Sequence, residues 1–158
     1  MNTDNERKRH WLMRYLYAKQ RKNEADLELT QLCTVSAKAI EYSDMPHGSS
    51  TPHGLETIAE AAERQLEELR KATRECTRIR DEVRTAIGTL SETESCVMFY
   101  RYTCYKQSPC ERRNRLEGTV QMTWTEIAER MHYSVQNVWR IHGAALAHLD
   151  IPVNNRDK

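Results

Sequence analysis

Glycine, proline and phenylalanine are scarce in this 158-residue sequence, which has 5 glycines, 4 prolines and a single phenylalanine. Collagen-like, mucin-like and low-complexity proteins are therefore excluded. Long apolar runs are also missing, and the first ten residues are polar where a secretion signal would need an apolar stretch. With 39% hydrophobic and 30% charged residues, the composition is typical of a water-soluble, helix-rich protein, and we expect it to lie inside a cell.

An excess of charge of one sign is absent too. The formal net charge is +1, so the chain lacks the overall basic field of a protein that coats nucleic acid indiscriminately. Basic residues do cluster locally, between Arg7 and Lys22 and again at Arg112, Arg113 and Arg115. Any affinity for nucleic acid is therefore expected to be local, and the alternative for both clusters is a solvated surface.

Metal-binding and catalytic signatures are missing as well. The five cysteines include no C-x-x-C pair, and the spacing of Cys104, Cys110 and His132 matches no zinc pattern, so we expect reduced thiols and no metal. There is no P-loop, no glycine-rich dinucleotide turn, no H-E-x-x-H and no G-x-S-x-G. We expect neither an enzyme nor a cofactor, and we place His142 and His148 at the surface or boundary of the last predicted helix.

Residues 1–90 are predicted to form a long antiparallel helical hairpin. Apolar residues recur at a four-three spacing from Trp11 to Ala39, and a seven-residue apolar repeat runs from Leu55 to Leu90. The segment 42–54 between them has two prolines and two glycines, which predicts the connecting loop. The second apolar stripe is wider than a two-position seam, so this region is also predicted to oligomerise, with a dimer favoured.

A second domain is predicted over residues 91–151. Gly88 is expected to end the hairpin in the left-handed conformation that glycine accepts at a helix C-terminus. Ser91 and Glu94 have the spacing of a capping box, which predicts a further helix to about Tyr102.

The segment 123–149 has the spacing of a short helix, a three-residue turn and a longer helix, which is that of a helix-turn-helix. Ser134 is predicted to cap the longer helix. The residues predicted to face inward are Ile127, Ala128, Met131, Val138, Ile141, Ala145 and Leu149. All elements together predict an all-α protein, a long antiparallel helical hairpin followed by a helix-turn-helix domain.

Three polar residues, Gln136, Asn137 and Arg140, are left on the opposite face near the start of the longer helix. A recognition helix meets base edges there; Gln and Asn side chains pair with adenine and Arg with guanine. The alternative is an ordinary helical hairpin with a polar outer face. Trp124 and Trp139 are expected to be packing residues rather than stacking platforms, because readers of duplex DNA need few exposed aromatics.

The segments Leu90–Tyr102 and Trp124–Leu146 resemble region 4 of sigma-70 factors. More closely, they resemble the small phage regulators of Gram-positive bacteria, the RinA and ArpU type of late transcriptional activator. In that family a charged helical part with a Met-Pro loop, here Asp44–Gly48, precedes a sigma-like helix-turn-helix. The resemblance covers most of the chain, although its specific part is the helix-turn-helix.

The sequence departs from that family in two places. Residues 103–122, predicted to be an irregular insertion, are much longer than the family's usual connection. Arg112, Arg113 and Arg115 within this insertion either add a DNA contact or belong to a longer surface loop. His132 occupies the turn position where glycine is common, and His adopts a positive φ less readily.

The resemblance implies a sequence-specific DNA-binding transcriptional regulator, an activator of phage or prophage late genes. It would act on double-stranded DNA in the bacterial host cytoplasm, with host RNA polymerase as a further partner and no membrane association. Thr123, Thr125 and Ser134 would then contact phosphates through hydroxyls and helix N-termini. The alternatives are a small-terminase-like DNA recogniser and an RNA polymerase adaptor that acts mainly by protein interaction.

Overall fold

The computed structural model of the chain describes residues 3–42, 53–108 and 118–152. Five helices and two short strands make up these ranges, so the predicted all-α class is confirmed, with a small two-stranded sheet added to it. The elements are α1 (Thr3–Tyr42), α2 (His53–Ile87), α3 (Glu92–Tyr102), β1 (Tyr105–Ser108), β2 (Gly118–Gln121), α4 (Trp124–Met131) and α5 (Val135–His148).

The helices α1 and α2 lie antiparallel, as the hairpin prediction requires. Arg14 near the start of α1 forms an ion pair with Glu82 near the end of α2, at 2.9 Å. Farther along, the Gln65 side chain donates to the Glu28 carboxylate at 2.7 Å. The apolar stripes of the two helices meet along this interface, and their buried members include Leu12, Tyr15, Ala18, Ala25, Ala72, Cys76, Ile79 and Val83.

One end of the hairpin shares its core with the rest of the chain. The start of α1 and the end of α2 pack against α3 and α5. The fully buried side chains of this shared core are Leu12, Val83, Met98, Ala145, Leu146 and Leu149. A single hydrophobic cluster therefore contains residues from both sides of the predicted domain boundary at residue 90.

A second, smaller core lies within the helix-turn-helix. Its buried residues are Val97, Met122, Ile127, Ala128, Val138 and Ile141. The sequence predicted inward positions for Ile127, Ala128, Val138 and Ile141 among these, and the structure confirms all four. The small side chain of Ala128 permits α4 and α5 to cross closely.

A buried lysine joins the hairpin to the end of α5. The Lys8 ammonium donates to the carbonyl oxygens of Leu146, at 2.9 Å, and Ala147, at 3.4 Å, and it pairs with the Asp4 carboxylate at 3.1 Å. The last carbonyls of a helix lack intrahelical donors, and a cation there also complements the helix dipole. Lys8 therefore acts as a C-terminal cap that α1 supplies to α5.

The insertion is not irregular throughout, which corrects the sequence prediction for residues 103–122. Its two ends pair as the antiparallel strands β1 and β2, with Tyr105 opposite Gln121 and Ser108 opposite Gly118. Gly118 begins β2, so this glycine lies at the start of a strand instead of interrupting the structure. Tyr105 packs against the shared core, and this contact joins the two strands to the helices.

The prediction that Gly88 adopts a left-handed conformation at the end of α2 is also wrong. The helix ends at Ile87, and the Gly88 N–H still bonds to the Arg84 carbonyl at 2.9 Å. No glycine among the described residues has a positive φ. The chain leaves α2 in a turn, in which the Leu90 N–H donates a hydrogen bond to the Ile87 carbonyl.

Candidate nucleic-acid interface

The helices α4 and α5 both begin at side-chain caps, which fixes the two starting points of the helix-turn-helix. Thr123 accepts from the Glu126 N–H, and the Glu126 carboxylate accepts from the Thr123 N–H, so the pair forms a capping box. Ser134 accepts from the Asn137 N–H at 3.2 Å. The predicted cap at Ser134 is thus confirmed, and each cap satisfies a helix N–H that has no partner inside its helix.

His132 makes the turn between α4 and α5 in the left-handed conformation, with φ 56° and ψ 40°. The next N–H, that of Tyr133, bonds to the Ala128 carbonyl at 2.9 Å and closes the end of α4. A side chain at this backbone position costs about 1 kcal/mol compared with glycine. The turn therefore keeps the geometry that glycine usually supplies, although His132 stands in its place.

We call the face of α5 that carries Gln136, Asn137 and Arg140 the reading face. It lies at the exposed start of the helix. Gln136 and Arg140 are exposed, and Asn137 is half-buried between them. The Arg140 guanidinium donates to the Asn137 side-chain oxygen at 2.9 Å, so these two side chains form a pair. The pair leaves the Asn137 amide N–H groups and the other Arg140 donors for base acceptors, of which guanine N7 and O6 suit arginine best.

The three hydroxyl residues predicted at phosphates, Thr123, Thr125 and Ser134, are all exposed. Two of them already serve as helix caps. The Thr123 hydroxyl also donates to the Glu126 carboxylate at 2.9 Å, and that carboxylate forms an ion pair with Lys106. The Thr123 hydroxyl thus already donates to the Glu126 carboxylate and accepts from the Glu126 N–H, so Thr123 fits a capping role better than a phosphate contact.

Arg112, Arg113 and Arg115 lie outside the described residues, so their predicted DNA contact is not addressed by the geometry. The segment Asp44–Gly48, which resembles the Met-Pro loop of the phage regulators, lies outside the described residues as well.

Trp139 departs from the packing role that the sequence suggested. Its side chain is 55% exposed, whereas Trp124 is half-buried with the Arg101 guanidinium over its ring at 4.4 Å. Helical periodicity could have revealed the difference, because Trp139 follows Gln136 by three residues and precedes Gly143 by four. These spacings put the indole on the same outer face as the predicted base-reading side chains.

His142 is buried, which corrects its predicted place at the surface or boundary. Its Nε2 lies 3.0 Å from the Tyr102 hydroxyl, and the Trp124 ring meets its edge at a centroid separation of 4.8 Å. Burial, together with the smaller effect of the positive charges of Arg9 and Arg101, lowers the pKa of His142 to about 4. The ring is therefore neutral at pH 7. His148, by contrast, is exposed and hydrogen-bonds Glu94 at 2.8 Å.

Acid is expected to destabilise the fold through His142. The unfolded chain protonates this histidine near its ordinary pKa of 6.5, but the folded chain does so only near pH 4. Between these values the unfolded state binds more protons, so the free energy of unfolding falls as pH drops, by up to roughly 3 kcal/mol. Urea unfolding at pH 7, 5 and 4 measures this loss.

The variant His142→Gln, which keeps a hydrogen-bonding group beside Tyr102, should lose less stability than wild type between pH 6.5 and 4. His10→Gln, at an exposed histidine of α1, is the matched control and should keep the wild-type difference. Identical pH profiles for wild type and His142→Gln would show that this ring does not cause the acid sensitivity.

A cleft of about 480 Å³ opens beside Trp139, between α5 and the start of α1. We call it the arginine cleft, and its lining residues include Arg9, Arg101, Gln121, Trp124, Trp139 and Gly143. None of the described residues that line it is acidic. Arg101 is anchored there because it donates to the Met122 carbonyl at 2.5 Å.

A second groove, between α1 and α2, is lined by acidic as well as basic side chains. It is lined by Arg21 and Lys71 together with four glutamates, at positions 24, 28, 68 and 75. Its cations thus have carboxylates nearby, as in the pair of Lys71 with Glu68 at 2.8 Å. The arginine cleft is therefore distinguished from this groove by positive charge without acidic neighbours.

The described part of the chain brings no three His, Cys, Asp or Glu side chains together as a metal site would need. No helix within it combines the length and apolar character that crossing a bilayer requires. No match to this chain was found among protein-family models, curated proteins or solved structures.

Proposed function

We propose that the chain is a sequence-specific regulator of transcription that binds double-stranded DNA through α4 and α5. The observation that carries this proposal is the reading face: two capped helices joined by a tight turn, with Gln136 and the Arg140–Asn137 pair exposed at the start of the second helix. A recognition helix presents this region to base edges in the major groove. The resemblance to phage late activators supports an activator of phage or prophage genes in the bacterial host cytoplasm.

A dimer formed through the far end of the helical hairpin fits this proposal. The helices α3 and α5 cover the apolar stripe at one end of the helical hairpin, so that end needs no second chain. At the other end, Val35 is 62% exposed and Leu66 is 36% exposed. If a dimer forms there, it would present two reading faces, and its operator would consist of two half-sites. Sedimentation at micromolar concentration that shows only monomer would contradict the dimer.

The test of the function is selection of bound fragments from random duplex DNA by the purified chain. Enrichment of one short sequence, with an affinity that falls as salt rises, is the expected result. No enrichment over unselected DNA would overturn the proposal. Capture of RNA polymerase without DNA would then favour a polymerase adaptor, whereas specific binding by ring-sized oligomers would favour the small-terminase-like alternative.

Replacing Arg140 by alanine is expected to weaken binding to the selected sequence by about 1 to 3 kcal/mol, which is about 5-fold to 150-fold. The loss should concentrate at one base position, with a smaller change at its neighbour because Asn137 loses its partner. Titration of operators with single base changes measures this. Arg74→Ala, at an exposed arginine in the middle of α2, is the control, and an equal loss in both variants would remove Arg140 from the reading face.

A further inference from the structure

We propose that the arginine cleft holds a phosphate of the DNA strand that borders the groove read by α5. The hairpin helix α1, which the sequence assigned to oligomerisation, would then be part of the DNA interface through Arg9. This inference rests on the proposed function and extends it to a contact outside the helix-turn-helix.

The first support is the position of the cleft along α5. Gly143 follows Gln136 by seven residues, so the two share one face and lie about 10 Å apart along the helix axis. The major groove is about 12 Å wide. When Gln136 meets base edges, Gly143 and the cleft beside it come to the rim of the groove, where the sugar-phosphate backbone runs.

The second support is the charge of the cleft. Within the described part of the chain, no carboxylate oxygen comes within 4.0 Å of a guanidinium nitrogen of Arg9 or Arg101. Arg101 is also half-buried, and this burial lowers its pKa because the cation has lost part of its water shell. A partly desolvated cation without a counter-charge favours a bound anion, and a phosphate oxygen suits the guanidinium geometry.

The third support is Gly143 itself, in the interior of α5. A Cβ atom added there would meet no atom of the described residues within 4 Å, and Gly143 has no positive φ. Glycine in a helix interior is less favourable than alanine, so neither the packing nor the backbone of this chain accounts for it. A glycine on the exposed rim of the cleft instead permits close approach by the backbone of a bound molecule.

The first test compares Arg9→Gln with Arg21→Gln in the full chain. Both substitutions remove one exposed arginine from α1, but Arg21 lines the groove that contains glutamates. Arg9→Gln is expected to weaken binding to operator and to random duplex alike, by roughly tenfold at low salt. It should also reduce the slope of log affinity against log salt by about 0.9, the value for one phosphate contact, whereas Arg21→Gln should change neither quantity.

The second test is Gly143→Ala, for which stability and binding should move in opposite directions. The added methyl group should raise Tm by roughly 2 to 4 °C, because helix propensity improves and no neighbour obstructs it. The same methyl group should weaken DNA binding by several-fold, because the DNA backbone can no longer approach as closely. A gain in Tm with unchanged DNA affinity would count against the close approach.

The outcomes separate this inference from the function on which it rests. If wild type selects a specific sequence while Arg9→Gln behaves like Arg21→Gln, the regulator stands and the phosphate site is overturned. A loss restricted to the operator, with random DNA unaffected, would also overturn it, since a phosphate contact weakens all sequences alike. If wild type selects no sequence and binds no duplex, both proposals fail together.

Discussion

A fragment of residues 91–151 is expected to remain largely unfolded when it is separated from the hairpin. Within the full chain, Met98 of α3 and Leu146 and Leu149 near the end of α5 are fully buried in the core shared with α1 and α2. Removing the hairpin exposes them and removes the Lys8 cap from α5. The smaller core that remains must then support a fragment of about sixty residues, a size at which folding is already marginal.

Circular dichroism during thermal unfolding measures this, with the full chain as the reference. The fragment should show weak helicity and no cooperative transition, and adding the separate segment 1–90 should restore both by rebuilding the shared core. A cooperative transition of the fragment alone, near the Tm of the full chain, would show that the helix-turn-helix is an independent domain.

Leu146→Ala is expected to lower the free energy of unfolding by about 2 to 5 kcal/mol. Leu146 has 0% exposure and lies in the shared core, so the substitution removes apolar contacts and leaves a cavity. Because a domain of ordinary stability has only about 5 to 15 kcal/mol in total, this single change should shift urea unfolding strongly.

Leu66→Ala makes the same chemical change at a side chain that is 36% exposed on α2, so it serves as the matched control. At a protein concentration at which the chain is monomeric, its loss in the free energy of unfolding should stay within about 1 kcal/mol. At temperatures where Leu146→Ala remains folded, its DNA affinity should match wild type, because the Leu146 side chain is fully buried and is not available to DNA. Equal stability losses in the two variants would contradict the burial difference on which the prediction depends.

Local pattern was sufficient to predict most of the helices and the cap at the start of α5, although not the capping box at the start of α4. An amphipathic helix is recognised from the spacing of apolar residues within a few turns. The apolar repeats that end at Ala39 and Leu90 are therefore visible without any tertiary information. The cap at Ser134 likewise needs only a hydroxyl at the correct position before an apolar run. For the same reason the side chains Gln136 and Arg140 were assigned correctly to an exposed face, although their role in reading bases stays a prediction.

The residues whose places were misjudged are those that depend on distant parts of the chain. His142 is buried because Tyr102 and Trp124 cover it, and no pattern within α5 reveals those neighbours. The two strands lie at opposite ends of the insertion, so their pairing depends on contacts that local periodicity does not record. Trp139 is the exception, since its outward direction follows from helical spacing alone.

By itself the sequence determined the all-α class, the helical hairpin and the exposed polar face of α5, because each follows from the periodicity of nearby residues. Only the tertiary structure decided that α1 reaches α5, where Lys8 caps the helix and Arg9 lines the same cleft as Gly143. These contacts join residues more than a hundred positions apart, and burial of apolar surface from four helices brings them together. The fold therefore places a basic cleft beside the reading face that neither segment contains alone.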